Sequence, residues 1–150
     1  MHNGWLIFLS RIRLTSDEMR YIALFESVTG AGVKDCVIGD GCLIFVVNPG
    51  DAGAAIGRGG SHIRVLRRMF GVNVEVVEYA EDLVNFVKNS FAPAKVIQVR
   101  VVERGDGEKV VLVSVKPSDK GVAIGRNGRK AERNRLLVRR HFGVDGVVIT

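Results

Sequence analysis

The chain has 150 residues, of which 47% are hydrophobic and 25% are charged, so it fits one ordinary domain or two small ones. This composition excludes an intrinsically disordered chain, and no apolar run approaches the roughly 20 residues of a membrane-spanning helix, so no membrane partner is expected. The net charge of +6 favours an anionic partner.

Residues 1–12 are predicted to form an N-terminal extension. Their apolar run, Trp5–Leu9, has neither the basic start nor the cleavage site of a signal peptide, which favours a cytoplasmic protein. An extra edge strand and a poorly ordered leader both fit this run. The first domain is predicted to cover residues 13–79.

The first domain is predicted to begin with a helix over Ser16–Thr29, because "TSDEM" supplies a cap and early acidic residues and the apolar positions follow helical spacing. Two strands follow, "VKDCVI" and "CLIFVV", joined at the turn sequence "GDG" (Gly39–Gly41). A glycine loop, a helix over Ser61–Phe70 and a strand over Val72–Val77 complete the domain.

The second domain is predicted over residues 80–150 and repeats this order. A helix is expected over Leu83–Phe91, and strands over Val96–Val102 and Lys109–Val115. A second glycine loop between two helices and a last strand over Val147–Ile149 follow. Each domain is thus an α+β unit of order α-β-β-α-α-β with a three-stranded mixed sheet. The connection through the two helices to the last strand should be a right-handed crossover. It should bring the last strand beside the second strand and parallel to it.

The order of elements repeats because the sequence itself repeats. "PGDAGAAIGRGG" from Pro49 aligns with "PSDKGVAIGRNG" from Pro117 at a constant offset of 68, and the Phe-Gly pairs after them are offset by 72. The four extra residues equal about one helical turn and should lengthen the second helix. Residues 51–72 carry four arginines and one aspartate, and residues 118–143 carry eight basic and two acidic residues, so the excess positive charge lies in the repeats.

Each repeat contains an Ile-Gly-x-x-Gly loop, "IGRGG" (Ile56–Gly60) or "IGRNG" (Ile124–Gly128). The glycines allow a sharp turn and the close approach of a ligand, and the helix that follows presents unpaired N–H groups that attract phosphate. Neither loop has the Lys-Ser/Thr of a P-loop, and only the first begins a dinucleotide fingerprint, with His62 in place of its last glycine. No cofactor and no small-molecule substrate is therefore expected.

The two loops resemble the Gly-x-x-Gly loops of KH domains, which clamp about four nucleotides of single-stranded RNA, and the order of elements resembles the type II KH fold. With both loops, the segment "VEVVEYAEDLVNFVKNSFAPAKV" (Val74–Val96) is similar to the junction between the paired KH domains of NusA factors. Residues 12–150 as a whole resemble the short archaeal NusA-like proteins.

This resemblance implies a non-catalytic protein that binds single-stranded RNA and acts in transcription elongation, termination or antitermination. RNA polymerase is a second expected partner, through direct or indirect contact. Bacterial NusA has a polymerase-binding domain and an OB-fold segment before its KH pair, and this sequence has neither, so direct contact by the bacterial route is not implied.

The resemblance places the RNA-binding residues in the two loops and the helices after them. The isoleucines are expected to form an apolar floor for the bases, to pack in the core, or both. Arg68, Arg133, Arg139 and Arg140 are additional candidates for phosphate contacts, although helical spacing brings only part of them to the loop. The predicted RNA-binding residues are Ile56, Gly57, Arg58, Gly59, Gly60, Ile63, Arg64, Arg67, Ile124, Gly125, Arg126, Asn127, Gly128, Arg129 and Lys130.

Two other functions are less compatible with the sequence. A ribosomal or ribosome-assembly KH protein would share the loops but usually carries basic tails or further domains. A nuclease or NTPase would need a carboxylate cluster, a Walker motif or a nucleophile-histidine arrangement, and none is present.

Cys36 and Cys42 fit neither a disulfide scaffold nor a zinc site, so reduced thiols are favoured over a bridge across the hairpin.

Overall fold

The computed structural model describes residues 13–39 and 41–150, which divide into two compact units between Tyr79 and Ala80. The predicted extension over residues 1–12 and Asp40 of the first "GDG" turn lie outside the described residues. Both units have the predicted order α-β-β-α-α-β. In the described part of the chain, every helix is too short or too polar to cross a membrane.

Within residues 13–39 and 41–79, the first unit contains three helices and three strands. A single 3-10 turn, Arg58–Gly60, joins its last two helices. The observed bounds agree with the predicted helices, and the last strand begins one residue later than predicted. The elements are α1 (Ser16–Thr29), β1 (Val33–Gly39), β2 (Cys42–Val47), α2 (Ala52–Ile56), α3 (Ser61–Phe70) and β3 (Asn73–Glu78).

Helix α1 is delimited by the local sequence at both ends. The Thr15 hydroxyl accepts from the backbone N–H of Glu18 at 3.1 Å, and the Glu18 carboxylate accepts from the backbone N–H of Thr15 at 2.7 Å. This reciprocal capping box satisfies two N–H groups that the helix cannot pair. At the other end, Gly30 adopts a left-handed conformation with φ 73° and ends the helix.

The first sheet has the strand order β1-β2-β3. Strand β1 is antiparallel to β2, with Gly39 opposite Cys42 at the hairpin, and β3 is parallel to β2, with Leu43 opposite Val74. The predicted position of the last strand is therefore confirmed. Strand β2 is central and β3 is an edge strand, which places the free edge of β3 beside the helices of the crossover.

The core of the first unit lies between this sheet and its helices. The rings of Phe25 and Phe45 stack with their centroids 4.1 Å apart, and Leu43, Leu66 and Val74 are buried around them. Helix α3 contributes only Leu66 to the fully buried set. The remaining faces of α3 can therefore carry polar side chains.

The second unit is built in the same way from α4 (Leu83–Phe91), β4 (Val96–Glu103), β5 (Lys109–Val115), α5 (Lys120–Ile124), α6 (Arg129–Phe142) and β6 (Gly146–Ile149). Strand β4 is antiparallel to β5, and β6 is parallel to β5. Helix α6 has 14 residues against 10 in α3, so the four-residue insertion does lengthen this helix.

Helix α4 begins at Asp82 and packs against α6. The backbone N–H of Asn85 donates to the Asp82 carboxylate at 2.9 Å, and this bond holds the pKa of the Asp82 carboxyl below its ordinary value. The ring of Phe86 lies 5.5 Å from that of His141 and 5.3 Å from that of Phe142. His141 is thus part of the packing of this unit.

A repeated hydrogen bond fixes the short helix before each glycine loop. In the first unit, the Asp51 carboxylate accepts from the backbone N–H of Gly32 at 2.8 Å. In the second, the Asp119 carboxylate accepts from the backbone N–H of Lys95 at 2.9 Å. Asp51 and Asp119 are 68 residues apart, so the repeat in sequence corresponds to a repeated anchor between each loop helix and the start of the first strand.

We predict that Asp51→Ala and Asp119→Ala each lower the free energy of unfolding by about 1–3 kcal/mol, because each leaves a backbone N–H without its charged acceptor. Urea denaturation measures this change. Glu81→Ala removes an exposed carboxylate and should change the same free energy by less than about 0.5 kcal/mol. If all three variants lost the same free energy of unfolding, the two anchoring hydrogen bonds would contribute nothing to stability.

Candidate nucleic-acid interface

The first glycine loop reverses the chain within three residues. Helix α2 ends at Gly57, with φ 78° and ψ 163°, and Gly59 and Gly60 then adopt positive φ of 62° and 77°. The backbone N–H of Gly60 donates to the carbonyl of Gly57 at 3.0 Å and closes the turn. Helix α3 starts immediately afterwards, with the N–H of Ser61 donating to the carbonyl of Arg58, so the positive end of the helix dipole lies at the corner.

The second loop has the same backbone. Gly125 and Gly128 have φ of 77° and 70°, and the N–H of Gly128 donates to the carbonyl of Gly125 at 3.1 Å. Asn127 takes the place of Gly59 with φ 56°. Asparagine is among the residues that best tolerate this left-handed region. The two corners are therefore equivalent although their sequences differ.

The first glycine of each loop is required by close packing. A Cβ on Gly57 would lie 2.8 Å from the backbone nitrogen of His62, and a Cβ on Gly125 would lie 2.7 Å from the Cβ of Lys130. In contrast, a Cβ on Gly59 or Gly128 would meet nothing within 4 Å. The corner is thus closed on the side of its own helix and open at its tip, where a ligand can approach the backbone.

The loop arginines are placed at this open tip. Arg58 and Arg126 are both exposed, as are Gly59 and Asn127 beside them. A cation next to the positive end of a helix dipole is a favourable arrangement for a phosphate.

A groove of about 360 Å³ lies beside the first loop. It is bounded by the loop, by α3 and by the free edge of β3, so it lies between two elements that the core holds rigidly. Its volume suits one nucleobase or a molecule of similar size. The lining residues are Ile56, Gly60, Ile63, Arg64, Arg67, Val74, Glu75 and Val76.

The isoleucines of the groove have different environments. Ile56 is 42% exposed, which is high for an isoleucine, whereas Ile63 is half-buried and also packs against the core of the first unit. Ile124, the counterpart of Ile56, is 40% exposed in the second unit. Apolar surface is thus available at the same place beside both loops.

Two arginines on α3 are held at the wall of the groove. Arg64 donates to the carbonyl of Gly59 at 2.6 Å, and Arg67 donates to the carbonyl of Val74 at 3.3 Å. A guanidinium carries five N–H donors, so each side chain keeps further donors for a ligand. His62 has a different role, because its Nδ1 lies 2.7 Å from the carbonyl of Ala54 and links α3 to α2.

The second unit places different side chains at the corresponding positions. At an offset of 68, Glu132 corresponds to Arg64, and Arg135 corresponds to Arg67. Arg135 donates to the carbonyl of Val147 on β6 at 2.9 Å, as Arg67 does to Val74. Arg135 was absent from the predicted site. The constant offset of the repeat could have identified it.

The other predicted basic residues are not gathered at one place. Lys130 donates to the carbonyl of Ala92 at 2.8 Å, which ties it to the end of α4. Arg129 is exposed at the start of α6. Arg68 is exposed but does not line the groove of the first unit, Arg139 is exposed, and Arg133 and Arg140 are half-buried.

Other chemistry is limited in the described part of the chain. Among residues 13–39 and 41–150, no three His, Cys, Asp or Glu side chains cluster in a way that could hold a metal ion. Cys36 is buried and Cys42 is half-buried, and both are present as thiols.

Comparisons with known proteins identify relatives over nearly the whole chain. The sequence matches the KH domain family over residues 19–103 and the family of the NusA-like second KH domain over residues 83–137. It is 40% identical to the "probable transcription termination protein NusA" of Halobacterium salinarum, over 93% of this chain and 99% of that protein. The protein of the same name from Methanocaldococcus jannaschii is 33% identical over 94% of this chain and 76% of its own.

A solved structure is similar as well. The crystal structure of APE1850 superimposes with a TM-score of 0.79 and 45% sequence identity, and the match covers 91% of this chain and 100% of that chain.

Alanine substitutions at Gly57 and Gly59 should differ in their effect on the stability of the fold. Gly57→Ala should lower the free energy of unfolding by more than about 2 kcal/mol. The added Cβ would clash with the backbone nitrogen of His62, and alanine would also have to adopt the positive φ of Gly57. Gly59→Ala should cost only the left-handed penalty of about 1–2 kcal/mol. Urea denaturation of both variants tests the order. A larger loss for Gly59→Ala would contradict the assignment of the two glycines.

Proposed function

The chain belongs to the archaeal NusA-like family of tandem KH proteins, and from that membership we propose that it is a non-catalytic protein that binds single-stranded RNA in transcription termination, elongation or antitermination. The relatives from Halobacterium salinarum and Methanocaldococcus jannaschii are named probable transcription termination proteins, which supports this role over that of a ribosomal KH protein. Acting on transcripts places the protein in the cytoplasm, with RNA polymerase as a further partner, bound directly or through the RNA.

The observation that carries this proposal is the open corner of each loop. Each tip offers the start of a helix and an exposed arginine, and in the first loop Gly59 has no side chain that would hold a ligand away. Phosphate is the anion that fits such a corner. A chain of phosphates with flexible links can follow the turn from the corner into the groove.

The groove favours a single strand over a duplex. Its volume of about 360 Å³ and its apolar floor at Ile56 and Ile63 suit an unstacked base, and bases are available in this form only in single-stranded RNA. The guanidinium groups of Arg64 and Arg67 provide donors at the edge of the same groove. Backbone clamp and base groove therefore lie side by side in the first unit.

Two RNA-binding units on one chain should bind a long strand more tightly than either alone. Once one unit holds the strand, the other meets the next segment at a high effective concentration. A transcript that is still attached to polymerase is such a strand. This arrangement supports a role on nascent RNA.

We predict that changing Arg58-Gly59 and Arg126-Asn127 together to Asp-Asp pairs weakens binding of single-stranded RNA by more than about 100-fold. The change replaces two cations with four anions at the phosphate sites. The fold should persist, because aspartate tolerates the left-handed conformation of Gly59 and Asn127. Filter binding measures the affinity, and circular dichroism checks the fold.

The matched control is Arg104-Gly105→Asp-Asp. These residues also form an exposed Arg-Gly pair in a turn, and Gly105 has open space around its Cα. This variant should retain most of its RNA affinity, since the pair lies in the β4–β5 hairpin rather than in a glycine loop. Undiminished RNA binding by the folded loop variant would overturn the proposal.

A further inference from the structure

The positions that line the groove of the first unit carry different side chains in the second unit, although the two loops match. We propose, on the basis of the RNA-binding function above, that the first unit discriminates between bases and that the second unit binds mainly the RNA backbone. The residues that distinguish the units are Arg64, Ile63 and Ser61 in the first, and Glu132, Ala131 and Arg129 at the corresponding positions of the second.

The first groove holds polar groups in defined positions. The bond from Arg64 to the carbonyl of Gly59 and the bond from Arg67 to the carbonyl of Val74 orient two guanidinium groups. Across the groove, the carboxylate of Glu75 accepts from the side-chain amide of Asn73 at 3.4 Å. Oriented donors and an oriented acceptor above an apolar floor distinguish bases by the pattern of their edges.

The second unit lacks this set. Glu132 stands where the first unit has Arg64, and its carboxylate lies 3.2 Å from the guanidinium of Arg135. The two groups thus engage each other, and their charges offset. Ala131 stands where the first unit has Ile63 and is only 3% exposed, so it adds little to an apolar floor. A base placed here meets fewer donors and less apolar surface than in the first groove.

In the second unit, the exposed cations lie outside the position that corresponds to Arg64. Arg129 is exposed at the start of α6, where the first unit has Ser61, and Lys120 and Arg126 are exposed on either side of Gly125. The repeat of the second unit carries six net positive charges, against three in the first. Cations on the surface contact phosphates, and such contacts add affinity without reading the sequence.

The experiment exchanges single residues between the units in the full chain. The probes are single strands of oligo-A, oligo-C and oligo-U of about ten nucleotides, enough for two KH units at about four nucleotides each. Dissociation constants are measured at several salt concentrations for the wild type, Arg64→Glu, Arg129→Ser and Glu132→Arg. Each substitution installs the residue that the other unit has at the corresponding position.

Arg64→Glu should reduce the ratio of affinities between the best and the worst homopolymer by about tenfold. Arg129→Ser should weaken all three by a similar factor and reduce the slope of log affinity against log salt by about 0.7, the value for one phosphate contact on a single strand. Glu132→Arg should widen the ratio, because it gives the second unit the donors that Arg64 supplies in the first. This third variant tests the inference even if Arg64→Glu loosens the loop.

Three results would overturn the inference while leaving the proposed function intact. They are equal binding of the three homopolymers by the wild type, a uniform loss in Arg64→Glu, and a changed ratio in Arg129→Ser. Failure of the wild type to bind any of the strands would instead contradict the proposed function itself.

Discussion

Each unit depends on a backbone corner that leaves no room for a side chain on the helix side. At Gly57 a Cβ would lie 2.8 Å from the backbone nitrogen of His62, and at Gly125 it would lie 2.7 Å from the Cβ of Lys130. Because no side chain stands between them at the glycine, the short helix and the long helix approach closely. The start of the long helix therefore lies at the tip of the turn. The phosphate binding that we propose for the site rests on that geometry.

The rest of each unit holds this corner in place. The Asp51 and Asp119 carboxylates tie the short helices to the strands, and the parallel strand β3 sets one wall of the first groove. Arg67 and Arg135 then bond from the long helix to that edge strand in each unit. The same framework therefore supports both loops.

The sequence was informative where local rules decide the structure. The bounds of α1 follow from its capping box, and the lengthening of α6 follows from a four-residue insertion of one helical turn. The type II KH order and the parallel last strand also follow from the pattern of elements and its crossover. These features need no knowledge of which side chains meet in space.

Side-chain partners could not be predicted in the same way. Lys130 bonds to the carbonyl of Ala92, 38 residues away, and only the packing of α4 against α6 brings these groups together. Arg135 was missed because it follows the loop by a full two turns, where a basic residue is as often a solvated helix residue as a ligand. Its pairing with Glu132, which stands where the first unit has Arg64, emerges once the two units are compared position by position.

The proposed function depends on contact between RNA and the backbone of the two corners. The most direct test of this contact is a titration of the ¹⁵N-labelled full chain with single-stranded RNA, followed by amide chemical shifts. We expect the largest changes at the amides of Gly59, Gly60, Asn127 and Gly128 and of the first residues of the helices after them. Changes confined to α1 or to the β4–β5 hairpin, with these amides unmoved, would contradict it.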